Sequence, residues 1–210
     1  MPIATTMTTS ARAVPGAGPE PLRVRRRRLL RDEIERIAIR LFLAHGYDAV
    51  SVDDIAAEAG MSGRTFFRYY ATKDEILRRY QSGLHEALLD AFTAQPAAAP
   101  ALQALRSAYA TTSTVAEPDR ERVRALGRLL ATAPAVHARA VGETLLDDRL
   151  TREFARRFGA QPSDLRCAAV LAAVSAAAQV GWNRWVTGDD RGDPAVSVTA
   201  AIDALGLSDE

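Results

Sequence analysis

The sequence predicts an all-α protein of about nine helices, and three observations lead to that prediction. Apolar residues recur every three or four positions, the spacing of one helix face, in segment after segment. Residues that favour helix starts precede these segments, and glycine follows several of them. No stretch of useful length alternates apolar and polar residues as a half-buried strand does. At 210 residues and 48% hydrophobic composition, the chain is long enough to bury a core without disulfides or a metal.

Composition and charge exclude several classes of protein. The 27 basic and 26 acidic residues leave a net charge of +1, which excludes a uniformly basic, histone-like protein. A single cysteine excludes an intrachain disulfide framework and a multi-cysteine zinc site. We find no uninterrupted apolar run of the roughly 18 residues that a membrane span needs, and no signal-peptide pattern. We therefore expect a cytoplasmic protein without membrane contact.

The first segment combines a tail, a basic leader and a helix. Residues 1–22 are rich in Thr, Ala and Pro and are predicted to be disordered. Arg23 and Arg25–Arg28 form a basic leader ahead of the first helix. That helix is predicted to end at His45, with Gly46 as a left-handed cap. Its one apolar face consists of Ile34, Ile37, Ala38, Leu41 and Phe42.

Three capping signals place the next helices. Ser51, with Asp54 three residues later, opens a short helix that Gly60 ends. Ser62 caps a second short helix, predicted over Gly63–Tyr69. Thr72 and Glu75 form a capping-box pattern that opens a longer helix to about Phe92.

The second half of the chain follows an Ala/Pro linker. Helical spacing, with prolines near the starts, predicts helices over 100–116, 119–132, 135–158 with a break near Gly142, 162–187 and 194–205. Residues 23–80 carry a net charge of +4 and residues 81–210 a net charge of −3. We therefore predict a basic domain over 23–80 that meets a polyanion, and a second helical domain over 81–210.

Residues 51–73 have the pattern of a helix–turn–helix. Two short helices flank Gly60, which permits the positive φ of a tight turn. The second helix is left with an exposed polar face. An arginine on such a face can donate two hydrogen bonds to guanine, and a threonine offers a hydroxyl and a methyl group to bases. The alternative is an ordinary helical hairpin with a solvated polar face.

Motifs over residues 30–80 resemble those of the TetR family of bacterial transcriptional regulators. They stand in the family's order and spacing as Phe42, Gly46-Tyr47, Ser51-Val52-Asp53-Asp54-Ile55-Ala56-Ala57-Glu58-Ala59-Gly60, Ser62, Thr65-Phe66-Phe67-Arg68-Tyr69-Tyr70 and Lys73-Asp74-Glu75. The chain is most similar to an actinobacterial branch that includes regulators of the mycofactocin type. The resemblance implies an N-terminal three-helix domain with a helix–turn–helix, followed by a helical domain for ligand binding and dimerisation.

The resemblance also implies which residues contact DNA. Ser51 and Lys73 match positions that hold phosphate, and Tyr69 matches one that touches the backbone. Phe67 stands where the family usually has a phosphate-contacting tyrosine, so its contact would be apolar. The basic leader adds a hypothesis of its own, that arginines in it contact DNA, against the alternative of a solvated leader. The full predicted set is Arg27, Arg28, Ser51, Val52, Ser62, Gly63, Arg64, Thr65, Phe67, Arg68, Tyr69 and Lys73.

In the family, the second domain dimerises and encloses a small-molecule pocket. The 162–187 segment is apolar nearly all round and rich in alanine, so we expect a homodimer through it and the 194–205 helix. The alternative is a monomer whose helices bury one another. We expect a hydrophobic or amphipathic effector, acyl-CoA-like by analogy. The pocket candidates, each of which is otherwise an ordinary core residue, are Leu105, Tyr109, Leu126, Leu130, Leu145, Phe154, Val174, Gln179 and Trp182.

The predicted function is a ligand-responsive repressor that binds a pseudo-palindromic double-stranded DNA operator as a dimer. Two alternatives remain at this point: a regulator or activator without an effector, and a helical enzyme with a module that only resembles a DNA reader. We expect no catalytic residues, no metal and no cofactor, because the three histidines are isolated and Cys167 lies in an alanine-rich helix.

Overall fold

The computed structural model describes residues 21–132 and 148–208. Within these ranges every regular element is helical, which confirms the all-α prediction. The helices are α1 (Leu22–His45), α2 (Val52–Glu58), α3 (Gly63–Phe66), α4 (Lys73–Thr93), α5 (Ala101–Ser113), a 3₁₀ turn (Glu117–Asp119), α6 (Arg120–Thr132), α7 (Asp148–Phe158), α8 (Leu165–Thr187) and α9 (Pro194–Asp203). The described residues form two compact units, which divide between Tyr80 and Gln81.

The first unit is built on the apolar face of α1. Ile34, Ile37, Ala38 and Phe42 are buried, as their spacing predicts. Ser51 caps α2 with a full capping box: its hydroxyl accepts from the Asp54 N–H, and the Asp54 carboxylate accepts from the Ser51 N–H.

Two glycines shape the connections of this unit. Gly60 has φ +64°, the left-handed conformation that the tight turn between α2 and α3 requires. Gly46 after α1 also has positive φ, 87°, but its ψ of 151° lies outside the left-handed helical region. The predicted left-handed cap is therefore wrong in ψ, although the position still favours glycine.

The start of α1 differs from the prediction. The helix begins at Leu22, directly after Pro21, so Arg23 and Arg25–Arg28 lie on its first turns and not on a leader before it. Arginine is a good helix former and no residue in this stretch interrupts the helix, which accounts for the extension. The disordered tail predicted for 1–22 otherwise falls on residues 1–20, outside the described residues.

The end of α3 also differs. The helix was predicted to reach Tyr69 but ends at Phe66. Hydrogen bonds from Arg68 N to Thr65 O (3.1 Å) and from Tyr69 N to Phe66 O (2.8 Å) then tighten the chain into a turn.

In the second unit, α8 packs against α9, α6 and α7, and its buried face includes Leu171 and Val174. Gly181 allows the backbones of α8 and α9 to meet, because a Cβ there would clash with the Ser197 carbonyl and lie 2.7 Å from Val198 Cα. The predicted bounds of α5, α6, α8 and α9 agree with the structure to within three residues.

Two further expectations concern α7 and α8. The structure describes the predicted 135–158 helix over Asp148–Phe158 only, so the expected break near Gly142 lies outside the described residues. Helix α8 is long and apolar enough, by length and composition, to cross a membrane. The sequence expectation that no segment meets this criterion is therefore wrong. Its packing against three helices of the second unit is that of a central helix in a globular domain.

Candidate nucleic-acid interface

The predicted base-reading residues share one surface on α3 and the turn that follows. Phe66 and Tyr70 are buried and anchor this segment in the first unit. Arg64, Phe67 and Arg68 are exposed, and the Phe67 ring is 57% exposed. The segment therefore presents two guanidinium groups and one apolar ring to the outside. This combination suits contact with base edges and a thymine methyl.

The start of α3 is held by local contacts that limit what its polar groups can do. Ser62 Oγ accepts a hydrogen bond from Thr65 N (3.2 Å) and lies 3.0 Å from Thr65 Oγ1. The Thr65 hydroxyl is thus engaged within the chain. At Gly63, a Cβ would lie 2.9 Å from the Asp53 carboxylate, so α2 approaches α3 closely at this point.

Ser51 is occupied by its own capping box. Its N–H and its hydroxyl donate to the Asp54 carboxylate at 2.8 and 2.6 Å. These bonds hold the pKa of Asp54 below its usual value, the hydroxyl of Ser51 having the largest effect. A DNA phosphate at Ser51 would have to replace the Asp54 carboxylate as the acceptor. Val52, the next predicted contact, is partly buried at the first position of α2.

Lys73 ties the start of α4 to the connection between α1 and α2. Its ammonium donates to the carbonyls of Tyr47 (2.8 Å) and Val50 (3.1 Å) and lies 4.2 Å from the centre of the Tyr47 ring. The Tyr47 hydroxyl donates to Asp74, and burial together with this bond raises the pKa of Tyr47. An ammonium has three N–H groups, so one remains for a phosphate.

Sequence reasoning missed Arg31, which holds the end of the DNA-reading segment. Arg31 Nε and Nη2 donate to the Tyr69 carbonyl at 3.1 and 2.7 Å, and the guanidinium lies 5.3 Å from the centre of the Tyr70 ring. The Tyr70 hydroxyl in turn donates to the Arg31 carbonyl (3.1 Å). Arg27 makes a longer bond of 3.5 Å to the Arg68 carbonyl. The four-residue spacing of Arg27 and Arg31, which places them on one helix face, is the signal that was available.

Arg28, the other predicted contact on α1, is partly buried and makes an interaction of its own. The structure therefore does not leave it as a solvated side chain. Arg27 is exposed, and its bond to Arg68 is at the limit of hydrogen-bond length.

An ionic cluster joins α1 to the start of α4 inside the first unit. Arg79 Nη2 lies 2.6 Å from the Asp32 carboxylate, and Arg79 Nε lies 3.1 Å from the Glu35 carboxylate. Glu35 is only 8% exposed, and burial raises its pKa to about 7 despite the nearby Arg79. This cluster fixes the helix that carries Arg31, and through it the end of the reading segment.

The second unit brings most of the predicted ligand-binding residues into one core. Leu105, Leu126, Phe154 and Val174 are buried, and Trp182 and Leu130 are partly buried. Gln179 instead lies on the exposed side of α8, where its amide donates to Asn183 (2.8 Å), so it does not join this core. Leu145 lies outside the described residues.

A polar pair interrupts this apolar core. The Tyr109 hydroxyl on α5 donates to Ser175 Oγ on α8 at 3.1 Å, and Ser175 is buried. Burial raises the pKa of Tyr109. The pair is the one place in this core where a described hydroxyl group of each helix is available to a ligand with a polar end.

Arg124 on α6 was not identified from the sequence. It is buried, stacks 4.3 Å from the centre of the Trp185 ring, and donates to the carbonyls of Gly188 (2.6 Å) and Asp190. Burial lowers the pKa of Arg124. Trp185 Nε1 donates to the Gly192 carbonyl (2.9 Å), so the two side chains together hold the loop that leads into α9.

An apolar stripe remains exposed along α8 and α9. Leu165 and Val180 on α8, and Val196 on α9, are more than half exposed, and Ala168, Ala169 and Ala176 continue the stripe at helical spacing. Large exposed apolar side chains on adjoining helices are typical of a protein interface. Within the two described ranges, by contrast, no three side chains of metal-binding type come together.

Comparison with known proteins gives matches to both units. Residues 36–80 match the family model for bacterial regulatory proteins of the tetR family, and residues 99–207 match the model for the MftR C-terminal domain. The HTH-type transcriptional regulator TcmR of Streptomyces glaucescens is 34% identical over 98% of this chain and 94% of its own length. The putative mycofactocin biosynthesis transcriptional regulator MftR of Mycobacterium tuberculosis is 32% identical over 86% of this chain and 89% of its own.

The fold has solved counterparts as well. The structure of Thermus thermophilus FadR, a repressor of the tetR family in complex with lauroyl-CoA, aligns with a TM-score of 0.54. The alignment covers 83% of this chain and 92% of FadR at 23% identity, which makes it a likeness of fold.

Proposed function

The chain belongs to the TetR family of bacterial regulatory proteins, and from this premise we propose that it is a ligand-responsive repressor that binds a pseudo-palindromic operator as a homodimer. A hydrophobic or amphipathic small molecule releases it from the DNA. Its relatives are transcriptional regulators and not enzymes, so it is a DNA-binding regulator that acts in the cytoplasm, where the chromosome lies.

The observation that carries the DNA-binding proposal is the exposed surface of Arg64, Phe67 and Arg68 on a segment anchored by buried aromatic rings. Arg64 and Arg68 make no side-chain hydrogen bond to any residue in the described ranges, so their guanidinium groups are available to guanine. Gly63 and the Thr65 methyl group complete the base-facing surface. Lys73, with its remaining N–H, and Ser51, after exchange of its Asp54 acceptor, supply phosphate contacts.

The exposed stripe on α8 and α9 supports the homodimer. Exposed Val180 and Val196 lie on helices whose backbones meet at Gly181, so one rigid pair of helices presents both side chains. Two copies of the pair would form a four-helix interface. A two-fold dimer places two reading segments about 34–36 Å apart, one turn of DNA.

The apolar core of the second unit supports the effector. Leu105, Phe154 and Val174 provide apolar contact, and the Tyr109–Ser175 pair can orient a polar end. The lauroyl-CoA bound to Thermus thermophilus FadR is a molecule of this amphipathic kind. Helix α4 contributes residues to both units, which makes it the element through which we expect effector binding to alter DNA affinity.

The test is fluorescence anisotropy with labelled DNA from the region upstream of the protein's own gene, against a scrambled duplex at physiological salt. We expect a preference of about a thousandfold or more for the specific DNA. Equal, weak binding to both duplexes at physiological and at low salt would refute the DNA-reading assignment. Acyl-CoA esters and free fatty acids then serve as release probes, and a complex that none of them dissociates favours a regulator without such an effector.

Two exposed arginines provide a matched pair of variants. Arg64→Ala removes a base-reading group and should lower the preference for the specific duplex by about 10- to 100-fold, the loss of one bidentate contact. Arg122→Ala removes the same charge from the exposed side of α6 and should leave that preference unchanged. A loss of specificity with Arg122→Ala, or none with Arg64→Ala, would contradict the proposed reading surface.

For the dimer, Val180→Glu combined with Val196→Glu places charge on the stripe, and sedimentation should then show a monomer. Leu84→Glu, at another exposed apolar position, is the control and should leave the dimer intact.

A further inference from the structure

The first turns of α1 carry a dense positive charge. Residues 21–31 contain six arginines and no acidic residue. The match to the tetR family model begins at residue 36, whereas α1 begins at Leu22. The arginine-bearing turns therefore extend the first helix beyond the region that the family model describes.

These arginines fall into two groups by their contacts. Arg31 is fully engaged, with two hydrogen bonds to the Tyr69 carbonyl. Arg23, Arg25 and Arg26 are exposed and make no hydrogen bond or ion pair with any residue of 21–132 or 148–208. Three guanidinium groups are thus held on a regular helix without an anionic partner.

The contacts of Arg31 also fix where the unpaired group lies. Because a helix rises about 1.5 Å per residue, Arg23 lies about 12 Å along the axis from Arg31. That distance equals about three to four base pairs of duplex. The unpaired arginines therefore begin beside the end of the reading segment and extend away from it. Successive residues turn by about 100°, so Arg23, Arg25 and Arg26 share a sector of about 160°.

We propose that Arg23, Arg25 and Arg26 form a basic arm that binds the sugar–phosphate backbone of the duplex beside the operator half-site. Arg31 is the positioning residue that joins the arm to the reading segment. This inference rests on the proposed DNA-binding function. Backbone contact is favoured over base reading because the three side chains spread over a wide sector, whereas base readers converge on one groove edge.

The arm can be tested without knowledge of the operator, because non-specific DNA binding reports phosphate contacts. The probe is a labelled 40-base-pair duplex of mixed sequence, titrated with the full-length chain at several KCl concentrations between 0.05 and 0.3 M. Each phosphate contact contributes about 0.9 to the log–log salt slope, so Arg23→Gln/Arg25→Gln/Arg26→Gln should reduce the slope by about 2.7 for each arm in contact. Between 0.1 and 0.2 M KCl, the variant should lose about sixfold less affinity than the wild type for each such arm.

The matched control removes three arginines from the second unit. Arg122, Arg152 and Arg156 are exposed on α6 and α7, and the corresponding triple glutamine variant should keep the wild-type salt slope. An arm variant with the slope of this control would overturn the proposal. Far-UV circular dichroism of both variants checks that the change in slope does not come from lost structure, since all six positions are exposed.

Three further outcomes separate the inference from the rest. With the specific upstream duplex, the arm variant should keep its preference over scrambled DNA, and a reduced preference would overturn backbone contact in favour of base reading. The exposed Leu22 and Leu29 accompany the arginines, so vesicles of 70% phosphatidylcholine and 30% phosphatidylserine provide a second probe. Loss of vesicle binding with an unchanged DNA salt slope would overturn the arm as a DNA contact. Failure of the wild type to bind any duplex at 0.05 M KCl would refute the proposed function itself.

Discussion

Replacing Gly181 by alanine tests the close approach of α8 and α9. A Cβ at this position would clash with the Ser197 carbonyl and lie 2.7 Å from Val198 Cα, so α9 must move by about 0.7 Å to reach ordinary contact. Such overpacking against backbone costs about 3 kcal/mol, and the higher helix propensity of alanine offsets about 1 kcal/mol. We expect Gly181→Ala to lower the free energy of unfolding by about 2 kcal/mol. Because α9 carries Val196, the dimer should also weaken.

Gly83→Ala is the matched control. Gly83 lies within α4, and nothing lies within 4 Å of a Cβ placed there. The control should therefore gain about 0.5–1 kcal/mol from propensity alone. Urea unfolding at equal protein concentration measures both free energies, and sedimentation velocity measures the dimer. If Gly181→Ala were as stable as Gly83→Ala and equally dimeric, the close packing of α8 on α9 would be refuted.

Three other substitutions test contacts described above. The pKa of Glu35 is about 7 in the folded chain and near 4.5 when unperturbed, so its contribution to stability is fully present below pH 4.5 and falls as the pH rises to 7; the stability of Glu35→Gln relative to wild type should therefore rise by at most about 3 kcal/mol between pH 5 and pH 8, measured by urea unfolding, and no change would place Glu35 in water. Lys73→Met removes the bonds to the Tyr47 and Val50 carbonyls and should cost about 1.5–3 kcal/mol in the same assay, whereas a Lys73 that only binds DNA would leave stability unchanged. Arg157 donates to the Gln95 and Pro96 carbonyls at 2.7 Å each, so Arg157→Met should lower the thermal midpoint by several degrees, while its exposed neighbour in Arg156→Met should not; equal effects would contradict a specific role of Arg157 at the end of α4.

The helices were predictable where apolar spacing and caps agree. Ile34, Ile37 and Phe42 mark the buried face of α1, and Ser51 with Asp54 marks the start of α2, because both signals are local in sequence. The start of α1 was missed because its first turns bury no apolar face, so periodicity had nothing to detect. The end of α3 was missed because hydrogen bonds of the 3₁₀ type leave no trace in composition.

The reading surface was also predictable, but the contacts that hold it were not. Arg64 and Arg68 follow from the helix–turn–helix pattern. Arg31 and Arg124, by contrast, act on backbone carbonyls 38 and 64–66 residues away, and any residue type supplies a carbonyl. Gln179 was assigned to the pocket from its place on an apolar helix. A helix that is apolar nearly all round gives no signal of which side faces the core.

The stacking of Trp182 and Trp185 makes the chain its own optical reporter. The sequence contains two tryptophans, both on α8, with ring centres 5.5 Å apart. Emission excited at 295 nm therefore comes from the second unit alone, while the first unit contributes no tryptophan signal. Comparison of this emission with far-UV circular dichroism, to which α1–α4 contribute strongly, reveals whether the two units melt together or one after the other. The same emission gives a label-free signal for any small molecule that enters the core beside Trp182.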